Sequence, residues 1–290
     1  MDTVPTLSAA GPIPVPPHAD APPFVTAPAL RTLAGSPRWP QVLDVRKAPA
    51  WTASPHRIAG ALRCAPDAID SLRTRLDPAR PVICVCVHGH EVSQGAAARL
   101  RALGLDARFL EGGLEAWLAA NGPWRAATAP LQPPETGGST WVTRARPKID
   151  RIAVPWLVRR FIDPLAGFVY LPTDAVLDFA ARTGAIAFDL PGGTISHDGE
   201  RCSVDTLIEA AGLVDTALQR LAVIVRGADT DRLELAPQAA GLLAMSLGLS
   251  RLHENDDTML DAAMILYDAL YAWCRDARDE PHAWRPEAMR

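Results

Sequence analysis

The stretch that most constrains the fold of this chain is a short apolar run followed by a small loop and a helical pattern. The run at 82–86 contains only valine, isoleucine and cysteine, which is typical of a buried parallel strand. Gly89 lies in the segment that follows, and alanine, leucine and arginine dominate 94–100, as in a helix. The sequence therefore predicts a strand–loop–helix unit with Cys86 at the carboxyl end of the strand.

The position of Cys86 has a chemical consequence. Backbone N–H groups of a loop and of a helix N-terminus stabilise negative charge. Because the thiolate is the reactive form of cysteine, this position favours a nucleophile, or an anionic group carried on its sulfur. The alternative is a buried structural cysteine. That alternative describes Cys84, which lies on the same face of the strand but deeper in it.

Composition limits the class of protein. The chain has 290 residues, of which 48% are hydrophobic, enough for one large domain or two ordinary ones. A formal net charge of −4 gives no electrostatic basis for nucleic-acid binding. Five cysteines do not suggest a disulfide framework, and neither a membrane-length apolar run nor a signal peptide is visible. We therefore expect a cytoplasmic protein without nucleic-acid or membrane partners.

Proline and glycine divide the chain into segments. We predict a disordered proline-rich leader, a first domain, a linker, a second domain and a tail, over 1–25, 26–126, 127–139, 140–278 and 279–290. In the first domain, strands alternate with helices, including a helix over 65–76, which predicts a parallel sheet with helices on both faces. In the second domain, strands precede a mainly helical stretch at 205–276, which predicts a mainly helical α+β fold.

Several motifs of the first domain resemble a single-domain rhodanese module. They are Asp44-Val45-Arg46, His56-Arg57-Ile58-Ala59-Gly60-Ala61, Cys86-Val87-His88-Gly89 and Gly112-Gly113 with Ala116-Trp117. This resemblance implies a sulfurtransferase fold and a persulfide carried on Cys86. It also implies a substrate-binding loop, assigned here to Val87, His88, Gly89, His90, Glu91, Val92 and Ser93.

The length of this loop distinguishes related chemistries. Counted from Cys86 to Val92, it is one residue longer than the loop of ordinary rhodaneses and is similar to that of dual-specificity phosphatases and arsenate reductases. Those proteins place an arginine at the end of the loop, where this chain has Val92. Without that bidentate clamp, phosphoryl or arsenyl transfer loses its main charge stabiliser. We therefore expect sulfur transfer in a pocket that is roomier than usual.

Three polar residues of the loop have two interpretations. His88, His90 and Glu91 stand next to the thiol and, with it, suggest a metal site. They are equally expected of a solvated loop whose histidines raise the local positive charge. We favour the solvated loop, because a short turn around one sulfur seldom brings four ligands together.

The second domain contains basic and metal-binding candidates. Arg144, Arg146, Lys148 and Arg151 form either an oxyanion site or a solvated surface with local salt bridges. His197, Glu200 and Asp229 suggest a metal ion in this domain. The alternative for Asp229 is helix capping or pairing with a neighbouring arginine, which is the more frequent role of such aspartates.

Patterns spread over 140–275 resemble the C-terminal domain of the ChrB chromate-resistance family. They are Thr143-Arg144-x-Arg146-Pro147-Lys148-Ile149-Asp150-Arg151-Ile152-Ala153-x-Pro155-Trp156, His197-x-Gly199-Glu200-x-Cys202-Ser203, Arg226-Gly227-Ala228-Asp229-Thr230-Asp231 and Tyr267-Asp268-Ala269-Leu270-Tyr271-Ala272-Trp273-Cys274. The resemblance implies a link to the chromate response, as a regulator or an accessory factor.

Two functional hypotheses follow. In the first, the protein is an enzyme: Cys86 takes sulfur from a small donor such as thiosulfate and passes it to a thiol acceptor, with no cofactor required. In the second, it is a chromate or redox sensor in which oxidation of Cys86 is the signal. Chromate reduction by the loop is less favoured, because Cys86 has no evident partner thiol facing it.

Overall fold

The computed structural model describes residues 23–134 and 137–280. The expected leader lies outside the described residues up to position 22, and so does the expected tail beyond position 280. The strands before the linker are β1 (Phe24–Val25), β2 (Gln41–Asp44), β3 (His56–Ile58), β4 (Leu62–Arg63), β5 (Val82–Val85), β6 (Ala107–Leu110) and β7 (Trp124–Ala126). The helices there are α1 (Ala27–Arg31), α2 (Ala48–Ala53), α3 (Ile69–Leu72), α4 (Glu91–Ala102) and α5 (Gly113–Ala119).

A five-stranded parallel sheet in the order β1-β6-β5-β2-β4 forms the centre of this part. Side chains of β5 alternate between its two faces, as expected for a strand. Val82 and Cys84 pack with the side chains of α3 and α4, whereas Ile83 and Val85 pack with those of α1 and α5. The predicted parallel sheet with helices on both faces is therefore confirmed.

The leader prediction is wrong at its last residues. Phe24 and Val25 form β1, which pairs with β6 at the edge of the sheet. The rings of Phe24 and Phe109 lie 6.1 Å apart between centroids. This cross-strand aromatic contact stabilises β1 although prolines are frequent in the preceding sequence.

The helix expected over 65–76 is also wrong in its length. Only Ile69–Leu72 is α-helical, and a 3-10 turn at Arg73–Arg75 follows. Both Leu72 and Leu76 are buried in this arrangement, so core packing determines where the helix ends.

The part after the linker is mainly helical. Its strands are β8 (Thr140–Arg144), β9 (Gly167–Leu171), β10 (Ile186–Ala187) and β11 (Leu213–Val214). Its helices are α6 (Asp150–Leu157), α7 (Val176–Thr183), α8 (Ser203–Ala210), α9 (Thr216–Asp229), α10 (Ala239–Leu252) and α11 (Asp256–Ala272). Single π-turns extend α6 over Val158–Ile162 and α11 over Trp273–Ala277, and short 3-10 turns lie at Thr173–Ala175 and Leu233–Leu235.

A three-stranded parallel sheet, β10-β8-β9, stands beside this helical core. The core is aromatic at its centre: the ring of Trp156 lies 5.5 Å from Phe161, 6.0 Å from Tyr267 and 5.8 Å from Tyr271, between centroids. The predicted second, mainly helical α+β unit is therefore present.

The two parts share backbone hydrogen bonds. Strand β7 lies between β3 of the first part and β11 of the second, in an antiparallel sheet that the sequence did not predict. Gly60 N–H donates to Phe161 O at 2.8 Å. Leu131, inside the expected linker, donates its N–H to Ala210 O at 2.8 Å. The boundaries drawn at 126 and 140 stay predictions. The structure adds that residues next to the first boundary form backbone hydrogen bonds with both parts.

Candidate functional site

Cys86 follows β5 directly and stands where that strand leads into α4. Its side chain is 6% exposed, and its Sγ lies 3.1 Å from Ser93 Oγ, with either atom able to donate. Ser93 Oγ also lies 3.2 Å from His90 O, to which it donates. When the sulfur is a thiolate, Ser93 can turn its O–H to the sulfur instead, so this hydroxyl is placed to stabilise the anion.

Two glycines allow the Cys86 loop to lie against the turn between β6 and α5. Gly89 has φ +74°, and a Cβ there would stand 2.6 Å from Leu110 O. Gly113 has φ +59°, and a Cβ there would stand 2.5 Å from both Cys86 O and Val87 O. Only glycine fits these positions, because they combine a left-handed backbone with close approach of another chain segment.

The backbone N–H groups from Val87 to Ser93 are the candidate hydrogen-bond donors of the site. Within the described residues, none of them donates a hydrogen bond to a protein acceptor. They belong to the loop and to the first turn of α4, where the helix dipole adds partial positive charge. These N–H groups are therefore available to an anionic group carried on Cys86.

The structure places the end of the predicted loop inside α4, and the expectation of a lengthened loop stays a prediction. Helix α4 begins at Glu91, so Val92 and Ser93, assigned to the loop from the sequence, lie in its first turn. Counting from Cys86 to the first helical residue gives six residues. Glu91 suits the helix start because its negative charge interacts favourably with the dipole, and Val92 packs against the core beneath the sheet.

The polar residues of the loop point to solvent. His88 Nδ1 lies 3.1 Å from Glu115 Oε2, and both side chains are more than half exposed. The rings of His88 and His90 lie 5.8 Å apart between centroids. Neither histidine belongs to a group with metal-ligand spacing in the part of the chain that the structure describes. This arrangement is that of the solvated loop.

Cys84 differs sharply from Cys86 in its environment. It is fully buried, and burial raises the pKa of its thiol to about 12. Such a thiol stays protonated at neutral pH and does not act as a nucleophile. Cys202, in the second part of the chain, is also fully buried, and burial raises the pKa of its thiol far above the ordinary value.

A second cluster lies in the part after the linker. His197 Nε2 stands 3.0 Å from Asp229 Oδ2, 3.4 Å from Asp189 Oδ1 and 3.5 Å from Asp150 Oδ2. The candidate ligand atoms of these residues all lie within 4.8 Å of one another. One imidazole and three carboxylates at this spacing can surround a single cation.

The backbone brings these side chains together from separate elements. Asp150 is the first residue of α6, Asp189 follows β10, and Asp229 is the last residue of α9. Asp189 has φ +53°, and Ile149, just before Asp150, has φ +33°. A left-handed backbone costs energy for such residues, and strained positions of this kind concentrate at functional sites.

The charges of the cluster strongly affect one another. Burial, with the charges of Asp150 and Asp189, raises the pKa of Asp229 to about 7. A hydrogen bond to Asp150 and the charges of the neighbouring carboxylates raise the pKa of His197 to about 9. Asp150 is completely buried, and its Oδ1 has no hydrogen-bond partner in the described part of the chain. An unpaired carboxylate oxygen at such depth is costly unless a cation or donor meets it.

The structure brings together only part of the predicted metal set. His197 and Asp229 meet, but Glu200 lies outside the group, 83% exposed, with its Oε2 3.0 Å from Arg232 Nη1. Sequence reasoning missed Asp150 and Asp189. Their signal was position: Asp189 follows a strand that pairs in parallel with β8, and Asp150 opens the helix after β8.

The four cations assigned to an oxyanion cluster do not converge on one point. Arg144 Nη2 and Arg151 Nε each lie 3.2 Å from Asp189 Oδ2. Arg146 donates to the carbonyl oxygens of Ser250 and His253. Lys148 is exposed. This is the arrangement of local salt bridges and carbonyl contacts, and two of the arginines hold a carboxylate of the His197 cluster.

No helix in the described residues has both the length and the apolar character needed to cross a membrane.

Comparison with known proteins identifies both parts of the chain. Residues 26–120 match the family model Rhodanese-like domain, and residues 141–274 match the model ChrB, C-terminal domain. Protein ChrB of Cupriavidus metallidurans is 35% identical over 140 residues, which cover 48% of this chain and 42% of that protein. The match thus spans less than half the length of this curated relative.

Solved structures align with about a third of this chain. A rhodanese-related protein from Thermoplasma volcanium is 24% identical, covering 35% of this chain and 95% of its own, with a TM-score of 0.31. A rhodanese-like domain protein from Staphylococcus aureus is 28% identical, covering 32% of this chain and 89% of its own, with a TM-score of 0.29. From the two family models, which agree with the motifs and with the parallel sheet, the chain joins a rhodanese-like domain to a ChrB C-terminal domain.

Proposed function

We propose that the protein is a rhodanese-type sulfurtransferase whose catalytic residue is Cys86. The observation that carries this proposal is the placement of the Cys86 sulfur beside a loop of free backbone N–H groups at the start of α4. Preorganised donors of this kind stabilise an anion as it forms, without further rearrangement. A persulfide on Cys86 is such an anion.

The reaction has two steps on one sulfur atom. The Cys86 thiolate attacks the outer sulfur of thiosulfate, a bond forms between the two sulfurs, and sulfite leaves with the electron pair of the broken sulfur–sulfur bond. A thiolate or cyanide then attacks the outer sulfur of the persulfide. The bond to Cys86 breaks and returns its electron pair to the Cys86 thiolate. The loop N–H groups and the Ser93 hydroxyl hold the anion between these steps.

Thiocyanate formation from thiosulfate and cyanide tests this proposal. We expect Cys86→Ser to abolish it and Cys84→Ser to leave it within about twofold, because the buried thiol does not reach the substrate. Unchanged turnover in Cys86→Ser would refute the assignment.

Mass spectrometry separates the enzyme from a sensor. Treatment with thiosulfate should add one sulfur to the peptide that contains Cys86. The resemblance to the ChrB family supports a role in chromate or oxyanion stress, which we propose is carried out in the cytoplasm. If chromate adds oxygen to Cys86 while thiosulfate adds nothing, the redox-sensor function replaces sulfur transfer.

A metal site in the ChrB C-terminal domain is our second proposal. Asp150, Asp189, His197 and Asp229 offer oxygen ligands and one imidazole, a set that suits Mn²⁺, Fe²⁺ or Zn²⁺. The unpaired, buried Oδ1 of Asp150 supports a cation there. Arg144 and Arg151 fix the carboxylate of Asp189 from its far side, as outer partners of metal ligands commonly do.

Calorimetric titration of untagged, chelator-treated protein with Mn²⁺ and Zn²⁺ tests this second proposal. We expect Asp150→Asn to weaken metal binding by at least roughly tenfold, since outer partners alone are worth that much. Glu200→Gln is the matched control, because Glu200 is exposed and paired with Arg232. Absence of binding in the wild-type protein, or an equal loss in the control, would contradict the site.

A further inference from the structure

A cavity at the junction of the two parts is lined by four arginines. Its volume is about 230 Å³, much larger than the roughly 30 Å³ share of one water molecule in the liquid. The arginines are Arg57, Arg63, Arg75 and Arg125. Among the described residues, no aspartate or glutamate lines this arginine cavity.

The sheet between the two parts forces two of these charges together. Arg57 on β3 and Arg125 on β7 are direct cross-strand partners, and they are 7% and 4% exposed. Side chains of such partners point to the same side of the sheet, and like charges placed there are destabilising. Arg63 at the end of β4 and Arg75 from the 3-10 turn complete the ring of charge.

An aromatic ring shares the space with the guanidinium groups. The Cζ atoms of Arg57 and Arg63 lie 3.6 and 4.7 Å from the centre of the Trp51 ring. Arg46 also approaches it, at 5.1 Å, but that arginine is neutralised by Asp44, with Nη2 and Oδ2 2.6 Å apart. Cation–π contacts orient the arginines, yet they do not cancel positive charge.

The four cavity arginines have no carboxylate partner within the described part of the chain; the bonds they donate go to uncharged oxygens. Arg57 donates to Ser54 O at 2.8 Å, Arg63 to Asp44 O at 2.8 Å, and Arg75 to Gly137 O at 3.2 Å. Arg125 donates to the side-chain oxygen of Gln132. Each guanidinium has five N–H donors, so most of them remain available.

The pKa values of the buried pair, Arg57 and Arg125, are lowered by this arrangement. Burial, together with the charge of Arg46, lowers the pKa of Arg57 to about 10, and burial with the charge of Arg57 lowers that of Arg125 to about 10. The Nε of Arg125 is buried without a hydrogen-bond partner in the described residues. Both guanidinium groups stay charged at neutral pH, and an anion between them would remove the repulsion.

We propose that the arginine cavity binds a tetrahedral oxyanion of charge −2, the class that contains sulfate, hydrogen phosphate and chromate. Planar guanidinium groups bind such anions through paired N–H···O bonds, and Arg57, Arg63, Arg75 and Arg125 surround one space. None of the residues from Cys86 to Ser93 lines the cavity, so the site is separate from the sulfur-transfer loop. Linker residues Gln132, Pro133 and Pro134 line it, as does Ile162 beyond the linker, so an anion there binds across the junction.

Calorimetric titration of the full chain with sulfate tests the proposal, with ionic strength held constant by chloride. We expect saturable sulfate binding and a raised melting temperature that chloride alone does not give. Arg63→Gln with Arg75→Gln should weaken sulfate binding by at least tenfold, because both side chains are only half-buried and their loss leaves the sheet pair intact. Circular dichroism checks that the double variant folds.

Arg73→Gln is the matched control. Arg73 belongs to the same 3-10 turn as Arg75, but it is exposed and does not line the cavity. It should bind sulfate as the wild type does. The proposal is overturned if the wild type binds sulfate no better than chloride. It is equally overturned if the folded double variant keeps the wild-type affinity, because the anion then binds elsewhere, for example at the Cys86 loop.

Discussion

At the scale of single residues, Cys86 differs from the other cysteines in its surroundings rather than in its burial. The five cysteines are all free and buried, and Cys86 follows β5 directly, before backbone N–H groups that donate to no protein acceptor within the described residues. Among the described residues, its one side-chain hydrogen-bond partner is Ser93, which is itself fully buried. We therefore expect the reactivity of Cys86 to depend on this hydroxyl, which can donate to either the sulfur or a backbone carbonyl.

Replacing Ser93 by alanine should slow both the alkylation of Cys86 and sulfur transfer by about fivefold, since one hydrogen bond is worth about 1 kcal/mol. The alkylation rate with iodoacetamide measures the first effect directly. Ser71→Ala is the matched control, because Ser71 Oγ also donates to a carbonyl three residues earlier, Ala68 O, but far from the loop. Equal alkylation rates in Ser93→Ala and wild type would show that the hydroxyl does not stabilise the thiolate.

At the scale of the elements, the strand–loop–helix unit could be predicted from the sequence because its signals are local. The apolar run of β5, Gly89 and the helical pattern of α4 lie side by side in the chain. Strands β3, β7 and β11 have two or three residues each and carry no such signal; they exist because they pair across the junction. Short strands are stabilised by pairing with strands that are distant in the sequence, and no local pattern identifies those partners.

The two candidate sites differ in the same way. Cys86 and its loop are contiguous, so the sequence was enough to locate this candidate site. Asp150, Asp189, His197 and Asp229 come from separate elements and meet through tertiary packing. Glu200 is close to His197 in the chain, but it turns to Arg232 on the surface. Proximity along the chain was therefore misleading for the metal set.

The loop–turn contact gives a prediction for paired glycine variants. Gly113→Ala should lower the free energy of unfolding by about 1–3 kcal/mol and reduce sulfur transfer, since its Cβ would meet Cys86 O and Val87 O at 2.5 Å. Gly95 lies within α4, and no atom lies within 4 Å of a Cβ added there. Gly95→Ala should therefore raise the free energy of unfolding by about 0.5–1 kcal/mol. Urea unfolding monitored by circular dichroism measures both, and a Gly113→Ala variant as stable and active as the wild type would show that the loop does not need this contact.

At the scale of the whole molecule, the two parts are connected by strand pairing and close backbone contacts as well as by the linker. Strand β7 connects β3 to β11, and Gly60 sits so close to the second part that a Cβ there would stand 2.6 Å from Arg160 O. The arginine cavity lies at this junction, with residues of both parts and of the linker in its wall. Stability of the rhodanese-like domain should therefore depend on the ChrB C-terminal domain, and an anion bound in the cavity would add to that dependence.

Arg275 tests how strongly the two parts are coupled. Its guanidinium reaches from the end of the last helix to the turn after α1, where Nη1 donates to Ala34 O at 2.7 Å and Nη2 to Thr32 O at 3.0 Å. The side chain is 8% exposed, so Arg275→Gln removes charge-assisted hydrogen bonds, including the part-buried one to Ala34 O, and should cost about 2 kcal/mol. We expect a lower melting temperature for the whole chain and faster proteolysis of both parts. Arg278→Gln, on an exposed residue one turn further on, should change neither. If Arg275→Gln destabilises only the ChrB C-terminal domain and leaves the rhodanese-like domain as resistant as before, the two parts unfold independently and the junction does not couple them.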